Sequence, residues 1–265
     1  MSNFTAIAPR YQRTSTVQQS AGERLLELAS LVGTEDVLDL GCGTGQITSL
    51  IRSRTKGLVM GVDPSAGMIA EARRNHGEGI DFRVDSAETL ATTQRFDAVV
   101  CNSAFQWFRD PRRALANCRK VLRPGGRIAI QAPARSDYCP AFTRAAAALG
   151  SDLRTRDVFS RFRSPWFFLE TAEDYARLAN DAGFVVRSSW IDTVTQRCPP
   201  AKVLEVFDSG AAAGYLNPDF YDVPLPSDYT PNARAVITSS FASQSHDDGL
   251  VDLTFFRIYL LAERR

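Results

Sequence analysis

The chain has 265 residues, 44% of them hydrophobic, and its 31 basic and 30 acidic residues leave a formal charge of +1. That length supports one sizeable core, and a balanced charge without a basic run or an acidic tail gives no footing to a nucleic-acid partner. The 5 cysteines are odd in number and form no C-x-x-C pair, which suggests neither a disulfide framework nor a metal site and fits a reducing, cytoplasmic location.

Met1 to Tyr11 lacks the apolar stretch of a signal peptide, and no run approaches the roughly 18 apolar residues of a membrane helix, so no membrane partner is expected. Residues 1–35 read as an N-terminal helical cap. From about Asp36 to Ala132 short apolar runs alternate with helical patterns, the signature of βα units and a parallel sheet. Strands are predicted at Asp36–Leu40, Leu58–Val62, Ile80–Val84, Phe96–Cys101 and Arg127–Gln131. A helix is expected from near Thr44. Another is capped by Asp110, carries Pro111 in its first turn, shows an apolar stripe of Ala114, Leu115, Cys118, Val121 and Leu122, and stops at Arg123–Gly126.

Past Ala132 the pattern changes. Ala141–Leu149 predicts an alanine-rich helix. Thr171 with Asp174 resembles a capping box opening a helix with Tyr175, Leu178 and Ala179 on one face and Gly183 as its stop. Val185–Ile191 and Leu253–Ala262 read as strands. Pro133–Phe168 and Pro199–Asp248, with helices near Ala201–Ser209 and Pro231–Ser243, read as cover on the substrate side. The division expected is 1–35, a ligand-binding core at 36–132, and 133–265 for the remaining strands and lid segments, all within a single domain.

The most informative segment is Val37-Leu-Asp-Leu-Gly-Cys-Gly-Thr-Gly-Gln46. Glycines at 41, 43 and 45 allow a sharp turn into a helix and let a ligand reach the main chain. A dinucleotide loop would place its third glycine at 46, where this chain has Gln46, and no G-K-[ST] follows. The ligand is therefore expected to be nucleoside-like without a diphosphate. Asp39, Asp63 and Asp85 close three successive strands at the edge where open α/β sheets bind ligands. Asp39 can meet an ammonium group or order a water, Asp63 stands where a carboxylate holds ribose hydroxyls, and Asp85 suits an exocyclic amine. An aspartate after a strand also commonly caps a helix; the three together with G-x-G-x-G favour the ligand reading.

The region from Asp36 to Ala132, over a third of the chain, resembles the class I S-adenosylmethionine-dependent methyltransferases of the small-molecule type. The resemblance rests on Asp39–Gly45, Gly61–Ser65, Asp85–Glu88, Phe96-Asp97 with Asn102–Trp107, and Leu122–Gly126. It implies an α/β, Rossmann-like seven-stranded sheet, mostly parallel with the last strand antiparallel, helices on both faces and helical lid insertions. It also implies S-adenosyl-L-methionine as cofactor and S-adenosyl-L-homocysteine as product. Carried over residue by residue, Asp39, Gly41 and Gly43 line the methionine part, and Asp63 holds the ribose with Pro64, Ser65 and Met68 beside the adenosine. Asp85, Ser86 and Ala87 border the adenine, and Asn102, Ser103 and Ala104 lie beneath the sulfonium.

Phe105-Gln-Trp107 is similar to a segment of the trans-aconitate and malonyl-acyl-carrier-protein methyltransferases, and Phe4, Tyr11 and Gln18 keep a spacing of the latter. Both esterify carboxylates, which implies a small-molecule or acyl substrate, a carrier protein as a partner, and Tyr11, Gln106 and Trp107 at the active site. From Tyr138 onward the chain departs from both. Trp107 could equally pack the core and Tyr11 anchor a helix. His76 reads as a polar helix end and His246 as an exposed turn. Arg135 and Arg197 are positioned to meet an acid, although each could lie on the surface. A carboxylate acceptor is already ionised at neutral pH, which explains the absence of a visible catalytic base. The alternatives are an N-, C- or phenol O-methyltransferase, a binding protein without turnover and, disfavoured by Gln46, a nicotinamide oxidoreductase.

Overall fold

The computed structural model describes residues 16–265, with side chains from Ala21 onward. In chain order it has α1 (Thr16–Ala29), β1 (Val37–Leu40), α2 (Gln46–Arg54), β2 (Val59–Asp63), α3 (Ala66–His76), β3 (Asp81–Val84), β4 (Phe96–Asn102), α4 (Pro111–Val121) and β5 (Leu122–Pro133). Then come α5 (Pro140–Ser151), α6 (Arg156–Phe159), α7 (Ala172–Asp181), β6 (Phe184–Cys198), α8 (Pro200–Asp208), α9 (Ala212–Tyr215), α10 (Tyr229–Ser243) and β7 (Val251–Arg264). These elements gather into two compact units. The larger holds the described residues through Ser136 with Trp166–Asp192 and Arg257–Arg265, and the smaller holds Asp137–Pro165 and Thr193–Phe256.

One seven-stranded sheet runs in the order β3-β2-β1-β4-β5-β7-β6. Strands β1 to β5 are mutually parallel, and β7 pairs antiparallel with β5 from Arg127↔Glu263 to Pro133↔Arg257. The expected architecture is therefore present. β1 lies between β2 and β4, so the chain's connections diverge there and leave a crevice at the carboxyl ends of β1 and β4.

Alternation along the strands assigns the two faces. Leu38, Leu40, Val99, Cys101, Ile128 and Ile130 pack with Ala114, Leu115 and Cys118 of α4 and with Tyr175 and Leu178 of α7. Val37, Val59, Ala98, Val100 and Ala129 face the other way, against Leu25, Leu26 and Ala29 of α1 and Ile47 and Ile51 of α2. Most are fully buried, and each large aliphatic side chain contributes roughly 1.5–3 kcal/mol by leaving water. Gly61 leaves room for the Phe82 ring, since a Cβ there would stand 2.8 Å from it. Phe82 in turn meets Ile69 and Ala72 of α3.

Several boundaries differ from expectation for local reasons. α2 starts at Gln46 rather than near Thr44, because Gly45 is left-handed (φ 85°) and cannot belong to the helix. Arg123–Gly126 does not simply end α4: Leu122 already pairs with Phe96, and Arg127 resumes the ladder at Ala98, so the segment bulges from β5. Asp110 caps α4 through the Arg113 N–H with Pro111 in the first turn, as read from the sequence. Thr171 caps α7 by accepting the Asp174 N–H at 3.1 Å and gives its own proton to the Asp174 carboxylate at 2.8 Å. β6 and β7 extend beyond their predicted spans, each passing from one unit into the other.

The smaller unit is built on aromatic rings. Phe142 of α5 meets Phe207 of α8 edge-on at 5.2 Å, Phe241 of α10 at 5.9 Å and Phe255 of β7 at 5.7 Å. The Tyr221 hydroxyl donates to the Tyr215 carbonyl and shares a 2.9 Å hydrogen bond with the Tyr229 hydroxyl.

Candidate active site

β1 carries Asp39 to the crevice on the α2 face of the sheet. The side chain is 1% exposed, and its Oδ2 accepts the Thr48 hydroxyl of α2 at 2.7 Å. Burial pushes its pKa up to about 7; the Thr48 bond opposes the rise and the charge of Asp63 adds to it.

Beyond Leu40, Gly41, Gly43 and Gly45 take φ values of 79°, 54° and 85°. The Gly41 and Cys42 N–H groups both donate to the Val62 carbonyl, at 2.8 and 3.0 Å, which folds the loop back over β2. A Cβ on Gly41 would stand 2.3 Å from the Ala104 Cβ, so the loop lies directly against the turn after β4. A Cβ on Gly43 would meet nothing within 4 Å among the described residues, so the main chain there faces space that those residues leave open. The Gly43 N–H donates to Asp63 Oδ2 at 3.0 Å, and Asp63 Oδ1 accepts the Ser65 N–H at 2.8 Å. Burial raises the Asp63 pKa to about 6 against these two bonds. The Ser65 side chain accepts the Met68 N–H and caps α3; Met68 is buried and Pro64 exposed.

Asp85 is differently engaged. Its Oδ1 accepts the Ser86 N–H at 2.8 Å and the Thr89 hydroxyl at 2.7 Å, and its Oδ2 accepts the Ala91 N–H at 3.1 Å. This aspartate organises its own loop. The Asn117 amide of α4 holds the same loop by donating to the carbonyls of Ala87 and Glu88.

Asn102, which ends β4, and Ser103 and Ala104 after it are half-buried, and Ser103 has a left-handed φ of 54°. The Ser103 N–H donates to the Gln131 carbonyl at 2.7 Å, and its hydroxyl donates to Gln131 Oε1 at 3.0 Å. The Gln106 amide donates to the Ser103 carbonyl at 2.8 Å. Phe105 enters the core against Phe108 and Phe167, Gln106 is buried, and half-buried Trp107 meets Trp166 edge-on at 5.6 Å. A Cβ on Gly22 of α1 would stand 3.1 Å from Asn102 Nδ2, so α1 passes beside this turn.

The structure thus brings Asp39, Gly41, Gly43, Asp63 and Asn102–Ala104 together at the switch point. Tyr11 and Phe4 lie outside the described residues, as does the side chain of Gln18. Arg197 sits within β6 and is paired with Asp248 at 3.0 Å and Asp252 at 3.2 Å, so its charge is already met. His246 also bonds Asp252, and His76 ends α3. Phe142 is a core residue of the smaller unit. Sequence reasoning missed Thr48, Asn117 and Gln131. Gln131 had a visible signal, a lone carboxamide closing the apolar run Ile128–Ile130.

Residues 38–130 match a family described as "Methyltransferase domain". This segment is a methyltransferase domain. Its parallel sheet with an antiparallel last strand has the class I form, which implies S-adenosylmethionine as the cofactor. The chain is 35% identical over 129 residues to a malonyl-[acyl-carrier protein] O-methyltransferase of Hahella chejuensis, over 48% of this chain and 46% of that one. It is 37% identical over 128 residues to a trans-aconitate 2-methyltransferase of Deinococcus radiodurans, over 48% of each. The chain thus spans about half the length of these curated relatives. In fold it is similar to a magnesium protoporphyrin IX methyltransferase of Synechocystis solved with bound S-adenosylhomocysteine, with TM-score 0.53 and 14% identity over 94% of this chain and 83% of that one. The YcgJ protein of Bacillus subtilis is likewise similar, with TM-score 0.61 and 16% identity over 93% and 99%.

The residues of the methyltransferase domain fit its cofactor. Gly43 offers open space where a side chain would obstruct. Two carboxyl groups with raised pKa values flank the loop, a disposition that favours a cation between them.

Proposed function

We propose that the chain is a carboxyl O-methyltransferase that methylates a small acid or an acyl group, free or borne by a carrier protein. The observation that carries the cofactor half of this reading is the pair of carboxyl groups, buried Asp39 and half-buried Asp63, on either side of the open Gly43 main chain. The acid half draws on the names of the two relatives, one an O-methyltransferase of a malonyl carrier protein and one a methyltransferase of trans-aconitate.

In this reading, Asp39 with Gly41 and Gly43 takes the amino-acid end of the cofactor, and Asp63 takes the ribose hydroxyls. Pro64, Ser65 and Met68 shape the adenosine side. Ser86 and Ala87 border the adenine, on a loop whose shape Asp85 sets. Asn102, Ser103 and Ala104 form the floor. Tyr11, Gln106 and Trp107 belong to the acceptor side. When bound, S-adenosylmethionine supplies an electrophilic methyl group. The protein's work is to align the acceptor and exclude water, and orientation of this kind is worth up to about 7–11 kcal/mol. An ionised carboxylate needs no base to deprotonate it before it attacks the methyl group.

Incubation with methyl-labelled S-adenosylmethionine and panels of carboxylic acids, acyl carrier conjugates, amines and phenols tests the reading. Labelled product released by alkali as methanol is expected from the first two panels. Turnover confined to amines or phenols would overturn the carboxyl assignment. Cofactor binding without turnover on any panel would favour a binding role.

A further inference from the structure

We infer that Gln131 is a positioning residue for the cofactor site, acting through the conformation of Ser103. The inference rests on the cofactor half of the proposed function. Gln131 lies in β5, where it pairs with Asn102 of β4 and is 0% exposed. A fully buried carboxamide in the centre of a sheet is costly unless its polar ends are used. One end is used: Oε1 accepts the Ser103 hydroxyl at 3.0 Å, while the main-chain carbonyl of Gln131 accepts the Ser103 N–H at 2.7 Å. Nε2, the other end, has no hydrogen-bond partner among the described residues. The hydrogen bond that this carboxamide makes at such depth is the one it accepts from the Ser103 hydroxyl.

Ser103 needs that support. Its φ of 54° lies in the left-handed region, where a non-glycine residue is strained by a few kcal/mol at most and stays only when its surroundings hold it. The Gln106 amide grips the Ser103 carbonyl from the other side at 2.8 Å. Two carboxamides therefore bracket one strained residue. The next residue, Ala104, is the one that the Gly41 main chain touches. If Ser103 relaxes, Ala104 moves, and the glycine loop loses the wall that sets its position. The fraction of molecules with a binding-competent loop falls, and apparent affinity falls with it.

The test is a double-mutant cycle read by calorimetry with S-adenosylhomocysteine and by thermal melting of the unliganded protein. Gln131→Leu puts a branched apolar side chain in place of the carboxamide and removes the side-chain hydrogen bond; affinity is expected to drop roughly tenfold. Ser103→Ala removes the hydroxyl but keeps the strain, so it should resemble Gln131→Leu, and the double variant should be no weaker than either single one. Ser103→Gly relieves the strain, because glycine adopts this φ freely, and in the Gln131→Leu background it should restore affinity at least about threefold. Melting temperature should show the same rescue. Additive losses, or no rescue by glycine, would reduce Gln131 to core packing and overturn the inference. An unaltered protein that gives no heat with S-adenosylhomocysteine would sink the cofactor reading, and this inference with it.

Discussion

Asp39→Asn separates a carboxyl group kept for binding from one kept for structure. In the unliganded protein the Asp39 pKa stands at about 7 against an ordinary value of 3.8. At about 1.36 kcal/mol per factor of ten, that difference is roughly 4 kcal/mol against the ionised form. The folded state binds the proton more tightly than the unfolded chain does. The stability from this group is therefore fully present below about pH 4, is lost as pH rises toward 7, and changes no further above it. Asp63, raised to about 6, acts in the same direction. The asparagine of the variant would be neutral at every pH and could still accept the Thr48 hydroxyl, although burying its amide costs about 1–3 kcal/mol. The variant should therefore be more stable than the unaltered protein at pH 8 by about 1–3 kcal/mol, or several degrees of melting temperature. Near pH 5 the difference should largely vanish. Its affinity for S-adenosylhomocysteine should fall at least about tenfold, because the buried countercharge is gone. Thermal melts from pH 5 to 8 and titration calorimetry at pH 8 read both effects. A variant that melts lower across the whole range, with an unchanged pH slope, would refute the reasoning and leave Asp39 a structural acceptor.

The glycine loop makes a paired prediction: Gly41→Ala should fold poorly, because its φ of 79° and its 2.3 Å approach to Ala104 leave no room. Gly43→Ala should cost only the left-handed strain, about 1–2 kcal/mol by melting, yet lose cofactor binding in calorimetry. Asp85→Ala removes the acceptor of three donors and should destabilise by about 1–3 kcal/mol; protease cleavage near Ser86–Ala91 should quicken, and unchanged cleavage would contradict its role as the loop's organiser. Tyr221→Phe strips a buried hydroxyl from the Tyr215 carbonyl and the Tyr229 hydroxyl in the smaller unit. It should lower stability by about 1–3 kcal/mol while leaving S-adenosylhomocysteine affinity intact, and a change in affinity would refute that separation.

The fold was largely legible because its signals are local. Asp110 with Pro111, Thr171 with Asp174, and the short apolar runs of β1 and β4 each depend on residues a few positions apart, and each is found where it was read. What escaped depends on residues far apart in sequence. The bulge at Arg123–Gly126 exists because Phe96 and Ala98 take partners five residues apart on β5. The length of β6 and β7 and the gathering of α5, α8 and α10 around Phe142 come from packing between segments far apart along the chain.

The site divides along the same line. In sequence Asp39, Asp63 and Asp85 are equivalents, each closing a strand before a turn. In the structure they are three different groups. Asp39 is buried with a hydroxyl partner and a raised pKa, Asp63 shares its oxygens between the glycine loop and the turn into α3, and Asp85 gives its oxygens to its own loop. A motif marks where carboxyl groups stand at a sheet edge, but the charge of a buried one at neutral pH is set by desolvation and by donors contributed from other elements, such as Thr48. Asp39 and Asp63 are the pair that a bound cation would help to ionise, so ligand binding near pH 6.5 should release protons. Asp85 supports the site through the backbone it holds.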